Sequence, residues 1–313
     1  MEQLTTLVSS RGLLRACHSH NLNPISSSSH IEDGLLDHHT PGKTIYVCTE
    51  ALIQFATHFF PKIKSSFVLV SGDSDKSVNQ HLLHEPAISA MVSNELLLSW
   101  FAQNLTVMHP KLVQMPIGLD YHTMWERPGS WGISSISGIA QEQTLFNIFN
   151  DSPAFNERYL NAYCNWKPVP GWGDREDCYS KIDRSICLFE SSSISRRSTW
   201  QRQSEFMYVI SPEGIGMDCH RTWEAIMLGC IPIIKRNALS SMYAELPVLI
   251  VEDWSDVTPQ TLSNHSVVAT EQKFNFSSLF KEHWTNRFND VKTKILDPMK
   301  MREFRKFLTR KTG

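Results

Sequence analysis

Apolar residues in this chain cluster in short dense runs set apart by polar and glycine-rich stretches. KTIYVC at Lys43–Cys48 and FVLV at Phe67–Val70 read as buried strands, the second ending in Ser-Gly-Asp-Ser-Asp at 71–75. A helix follows the first strand through Phe60, and the pattern predicts a further helix over Asn94–Asn104 and a strand over Leu112–Ile117. Residues 121–150, with Pro128, Gly129, Gly132 and Gly138 among serines, read as a connection. Beyond it, strands are predicted at 159–166, 186–189, 206–210, 231–235 and 247–251. Helices are predicted at 174–182, 219–228 and 239–244, with a helical tail over 277–310. Strand–helix alternation of this kind predicts an α/β protein with parallel sheets. The implied segments are a polar N-terminal stretch over 1–42, weakly structured in part, an α/β domain over 43–125 and a linker over 126–150. A second α/β domain over 151–275 and C-terminal helices over 276–313 complete the chain.

The densest information lies between Phe206 and Lys235, FMYVISPEGIGMDCHRTWEAIMLGCIPIIK, which reads as strand, glycine loop, helix and strand. Gly214 and Gly216 are expected to supply backbone angles closed to other residues, Asp218 to cap the helix, and Gly229 to end it. Such a loop aims N–H groups and a positive dipole end at a bound anion. The glycines alone are a weak signal, since the third glycine of a dinucleotide fingerprint and the Lys-Ser/Thr pair of a P-loop are both missing. His220 and Glu224, four residues apart, share one helix face. The carboxylate there is a candidate for ribose hydroxyls and His220 for a phosphate; the plainer alternative is a solvated His–Glu pair. Zinc would need a third ligand that the spacing does not offer.

The run from Ser211 to Lys235, above all HRTWEAIMLGCIPII, resembles the C-terminal signature of the exostosin-like glycosyltransferases of family 47 and their viral and bacterial relatives. The likeness continues through Tyr243–Trp254, reaches back over SRRSTWQRQ at Ser195–Gln203, and extends more faintly to HPKLVQMPIGLDYHT at His109–Thr123. The resemblance implies a GT-B fold, in which two Rossmann-like domains with parallel sheets face each other across a cleft and the final helices pack back toward the first domain. It implies transfer of a sugar from a UDP-sugar donor to an oligosaccharide or glycoconjugate acceptor, inverting and with no obligatory metal or cofactor. Under it, Glu224 would hold the ribose, Ser211, Gly214, Ile215 and Gly216 the pyrophosphate, and Arg196 or Arg197 would neutralise the leaving UDP. His220 and Arg221 join the expected donor-binding set, and so does Asn165, which the rule that ligands bind beyond the carboxyl ends of parallel strands brings to the same cleft as the 206–210 loop and Ser71–Asp75. Two positions depart from the family pattern: Ile215 stands where Asn is usual, and Glu213 where a basic or polar residue is frequent. An acid beside a pyrophosphate is unfavourable unless it points away.

Inverting transfer needs a general base on the acceptor hydroxyl and a stabiliser for the departing diphosphate. Asp73, directly after a buried strand, is the first candidate base and Asp75 the second; SGDSD also makes a good turn sequence. Asp253 and Asp256 around Trp254 read as a turn and helix cap in preference to a metal site. Arg202 either joins the phosphate-binding arginines or lies on a solvated face.

Composition narrows the alternatives. The 313 residues suit two domains, and 41% hydrophobic with 20% charged residues is ordinary for a globular protein. A formal net charge of −2 argues against nucleic-acid binding. Seven cysteines without a CxxC pair predict free thiols and a reducing compartment. No signal peptide or bilayer-length apolar stretch is evident, so a soluble, cytoplasmic chain is expected, with the Golgi an option only for a truncated start. Sequons at Asn104, Asn150, Asn264 and Asn275 are then chance matches. A non-catalytic sugar-nucleotide or glycan-binding relative is the second reading, and a Rossmann oxidoreductase the third.

Overall fold

A computed structural model describes residues 2–37, 40–127, 129 and 135–289. Among these described residues nine strands build two wholly parallel sheets, so the protein is α/β. The first sheet has the order β1-β2-β3-β4, from Lys43–Cys48, Phe67–Gly72, Leu97–Ala102 and Leu112–Gln114. The second has the order β6-β5-β7-β8-β9. Its strands are β5 Tyr159–Cys164, β6 Cys187–Phe189, β7 Phe206–Ile210, β8 Ile231–Lys235 and β9 Leu249–Val251. The helices of the first half are α1 Ser10–Ala16, α2 Leu52–Gln54, α3 Gln80–His84, α4 Pro86–Ser93, α5 His122–Glu126 and α6 Gly138–Asp151. Those of the second are α7 Arg175–Lys181, α8 Arg196–Gln203, α9 His220–Met227, α10 Pro259–Glu271 and α11 Lys281–Asn289.

One expected element changes type. The stretch read as a helix over Asn94–Asn104 is strand β3, and the helix precedes it as α4, with Pro86 in its first turn. The run LLSWFA is apolar on both faces, which periodicity alone does not distinguish from a buried helix. Asn94 and Asn104 bound it as turn residues, Asn104 with φ +50. Two further segments carry more structure than their polarity suggests. The N-terminal stretch buries Leu7, Val8, Leu13, Leu14 and Cys17, and α1 is capped by Ser9, whose hydroxyl accepts from Gly12 N–H. Most of the expected linker is α6, opened by a Ser137 cap and anchored by buried Leu145, Ile148 and Phe149.

Alternate residues of each central strand face different cores, as the two-residue pleat requires. In β2, Phe67 and Leu69 pack on an outer core with Trp100, while Val68 and Val70 join an inner one. In β7, Val209 joins that same inner core, and Tyr208 and Ile210 face a third cluster. The inner core is therefore shared by both sheets, with α1, α6, α9 and α11 contributing to it. Helix α11 lies on the first sheet through Phe288, whose ring stacks edge-on to Phe101 at 4.9 Å. The predicted tail beyond Asn289 falls outside the described residues. No helix among those described is long and apolar enough to cross a membrane. The seven cysteines are all free thiols.

Candidate functional site

In open α/β sheets ligands bind beyond the carboxyl ends of the strands, and here those ends meet. After β7, Ser211 still donates its N–H to Ile233 O at 2.8 Å, and its buried hydroxyl bonds that of Thr222 at 2.8 Å. The chain then leaves the sheet in a loop closed by Gly214 N–H to Gly216 O at 3.1 Å. Neither glycine has a left-handed backbone, contrary to expectation; Gly173 and Gly229 do, at φ +56 and +73. The loop glycines are needed for space instead. A Cβ on Gly216 would stand 2.8 Å from Asp75 Oδ1 and 3.2 Å from Asn104 Nδ2, both on loops of the first sheet. Gly173 lies against the other side, where a Cβ would come within 2.4 Å of Gly214 O. Ile215 is 63% exposed at the tip.

Asp218 does not cap α9, because Cys219 occupies the cap position. The Asp218 carboxylate is buried and accepts from Ile117 N–H at 2.7 Å, Trp223 Nε1 at 2.8 Å and Tyr243 Oη at 2.7 Å. Its own N–H donates to Asn104 Oδ1 at 2.9 Å. The residue thus ties the loop to the first sheet rather than starting a helix. Gly229 does end α9 as expected.

Two arginines flank the loop. Arg221 donates to the Pro212 carbonyl. Arg175 stacks over Trp172 at 4.9 Å, and its Nη2 would stand 3.4 Å from a Cβ on Gly214. Burial, then the like charge of Arg221, push the Arg175 guanidinium down to about 10. Its Nε is buried without a hydrogen-bond partner. Neither arginine forms an ion pair among the described residues, although the charges of Asp174 and Asp75 act on Arg175 from a distance. Glu213, the acid that departs from the family pattern, is turned to Asn237, which donates to its carboxylate at 2.9 Å.

Behind the loop runs a buried chain of charges. Asp73 has a left-handed backbone at φ +55, and its N–H donates to Gln103 Oε1 at 2.8 Å. Its carboxylate, 4% exposed, accepts from Ser26 Oγ at 2.8 Å and Arg11 Nε at 3.3 Å. Burial raises its pKa, opposed by Arg11 and Ser26. His122 Nε2 lies 4.0 Å from Asp73, and its Nδ1 lies 3.3 Å from Asp120 and 3.8 Å from Glu2. Burial pushes His122 down to about 4 and Glu2 up to about 7. Burial alone would raise Asp120, but Arg196, His220 and His122 outweigh it and hold that carboxyl below its usual range. Arg196 pairs with Asp120 at 3.5 Å and with Glu224, whose second oxygen accepts from Trp200 Nε1 at 3.0 Å.

These contacts reorder the sequence candidates. Glu224 and Arg196 are buried against each other, so the proposed ribose ligand and the proposed UDP neutraliser satisfy one another inside the second half. Arg197, next along α8, is exposed. His220 Nδ1 donates to Gly118 O at 2.7 Å, leaving Nε2 as its free nitrogen. Asn165 Nδ2 donates to Gln203 Oε1 at 3.1 Å, while its Oδ1 is buried and unpartnered. Asp73 is closed off by Arg11 and Ser26; Asp75 is exposed beside Gly216. Asp253 and Asp256 form the turn cap expected of them, Asp253 accepting from Ser255 N–H at 3.1 Å. Among the described residues no group of three or more His, Cys, Asp or Glu side chains is arranged to hold a metal ion. Arg175, Asp120 and His122 escaped the sequence reading, although the last two lie in the LDYHT end of the fainter family likeness.

Comparison with known proteins leaves the geometry to speak for itself: no family model matches the chain, and no curated protein matches it.

Proposed function

We propose that the chain is a glycosyltransferase of GT-B type, two Rossmann-like halves moving a sugar from a UDP-sugar to a glycan acceptor with inversion and without an obligatory metal. The resemblance over residues 195–256 motivates the reading. The observation that carries it is the opposition, at one seam, of an exposed carboxylate on the first half, Asp75, and an unpaired arginine pair on the second, Arg175 and Arg221. In this reading Asp75 takes the proton of the acceptor hydroxyl as its oxygen attacks the anomeric carbon from the face opposite the diphosphate. The bond from that carbon to the diphosphate oxygen breaks, and Arg175 and Arg221 stabilise the charge that UDP carries away. Ser211 and the Gly214–Gly216 loop shape the diphosphate side. Asp73 and Glu224 position other groups and do not touch substrate.

The closed state of Asp73 and Glu224 favours one second reading, a non-catalytic sugar-nucleotide-binding relative. A UDP-release screen across UDP-sugars and simple glycan acceptors, run with and without EDTA, separates the two. Release with an acceptor-dependent rate supports transfer; thermal stabilisation by UDP without any release supports the binding protein. Stabilisation by NAD and not by UDP overturns both.

A further inference from the structure

A cavity of about 430 Å³ lies away from the charge chain. It sits between the β4 edge, the loop after β3, the turn Ser240–Tyr243 and the start of α11. Its size falls in the range of pockets that enclose small organic ligands. Leu105, Leu112, Met242 and Leu246 give it an apolar lining. Most polar groups around it already satisfy one another. Ser241 Oγ donates to Gln114 Oε1 at 3.0 Å, Ser277 Oγ to Asn275 Oδ1 at 2.6 Å, and Asn275 Nδ2 to Glu245 Oε2 at 2.9 Å.

Three donors on the α11 side are left over: the Ser278 hydroxyl, the His283 ring and the Arg287 guanidinium have no hydrogen bond or ion pair among the described residues. Arg287 is half-buried and stacked, 5.0 Å from the Trp284 ring centroid and 5.6 Å from that of Phe101. Stacking fixes the plane of the fork and leaves its N–H edge free, the arrangement that suits a carboxylate. Burial, reinforced by Arg287, pushes His283 down to about 4, so the ring is neutral near pH 7. Glu245, the other charged group of the wall, is exposed and held by Asn275.

We propose that this cavity binds a small organic carboxylate with an apolar body, the carboxylate on Arg287 and Ser278 and the body against the Leu and Met lining. The site is independent of the transferase reading. The test is calorimetric titration of the full chain with 4-phenylbutyrate as probe and 4-phenylbutyramide as its uncharged twin. The carboxylate is expected to bind, and the amide to bind at least about tenfold more weakly, the scale of one charge-assisted hydrogen bond. Arg287→Met, which keeps the apolar stem, should bring the carboxylate down to the amide. Val107→Trp, at the cavity wall, should abolish binding of both while leaving UDP stabilisation unchanged, and serves alone if the first variant does not fold. Saturating UDP should leave phenylbutyrate affinity unaltered. Equal affinity for acid and amide, undiminished binding by Arg287→Met or Val107→Trp, displacement by UDP, or no binding of the acid overturns the proposal.

Discussion

Gly216 and Asp75 touch across the two sheets so closely that a single methyl group at 216 would stand 2.8 Å from the carboxylate oxygen. The Asp75 Cα lies only 3.2 Å from the same position, so side-chain rotation alone cannot relieve the contact. Gly216→Ala is expected to cost about 1–3 kcal/mol through overpacking. Urea unfolding measures it; an unchanged midpoint would mean that the loop moves freely.

Asp75 and Asp73 should behave differently when neutralised. Asp75→Asn is expected to cut turnover by about 100- to 10,000-fold while sparing UDP binding, the range of a lost general base. Asp73→Asn should instead lower the unfolding midpoint, because Arg11 loses a buried partner. Turnover by Asp75→Asn at the wild-type rate would remove Asp75 as the base.

The arginine pair offers a readout that requires no acceptor. Arg175→Gln and Arg221→Gln are each expected to weaken UDP by about tenfold or more, as loss of a charge-assisted contact does. Because the two cations repel each other, removing one should raise thermal stability of the unliganded protein slightly. Unaltered UDP affinity in both variants would move the diphosphate elsewhere.

Arg196 is buried between the carboxylates of Glu224 and Asp120, so removing the arginine leaves two buried carboxylates without their cation. Arg196→Met is expected to cost about 3–5 kcal/mol, and the double variant Arg196→Met/Glu224→Met, which leaves only Asp120 without the cation, to recover part of that loss. If the double variant were as unstable as the sum of the singles, the pair would not be acting as a unit.

Glu2 and His122 pull stability in opposite directions with pH. Glu2 is raised from 4.5 to about 7 on folding, so the native state binds the extra proton and stability falls as pH rises through that window. His122 is lowered from 6.5 to about 4, so the unfolded state binds the extra proton and stability rises with pH between those values. Each slope amounts to about 3 kcal/mol, and they nearly cancel between pH 5 and 6.5 in the wild type. Glu2→Gln should unmask the rise and His122→Asn the fall. Flat profiles in both, from denaturation at a series of pH values, would contradict the assignment.

The β7–α9–β8 unit was legible because its strands are uniformly apolar and Gly229 marks the helix end. Leu97–Ala102 was not, since an almost uniformly apolar run, with even the exposed Leu98 apolar, has no period to read. Polar composition concealed α1 and most of α6, whose caps, Ser9 and Ser137, sit inside serine-rich sequence that also describes loops. Site residues fared less well for a related reason. Glu224 and Asp73 carry the right chemistry, but their partners Arg196 and Arg11 lie far away in the chain, and only folding reveals that each carboxylate is already occupied. Asp75 and Arg175 acquire meaning from proximity to Gly216 and Gly214, which no spacing encodes.

The core shared by the two sheets bears on how anything enters the seam. Swinging the halves apart would bring Val68, Val209 and Phe288 into water together, so they are expected to melt in one calorimetric transition, and two resolved transitions would refute this. The seam is then a fixed junction, and Ile215, 63% exposed at the loop tip, is the part of that loop turned to solvent.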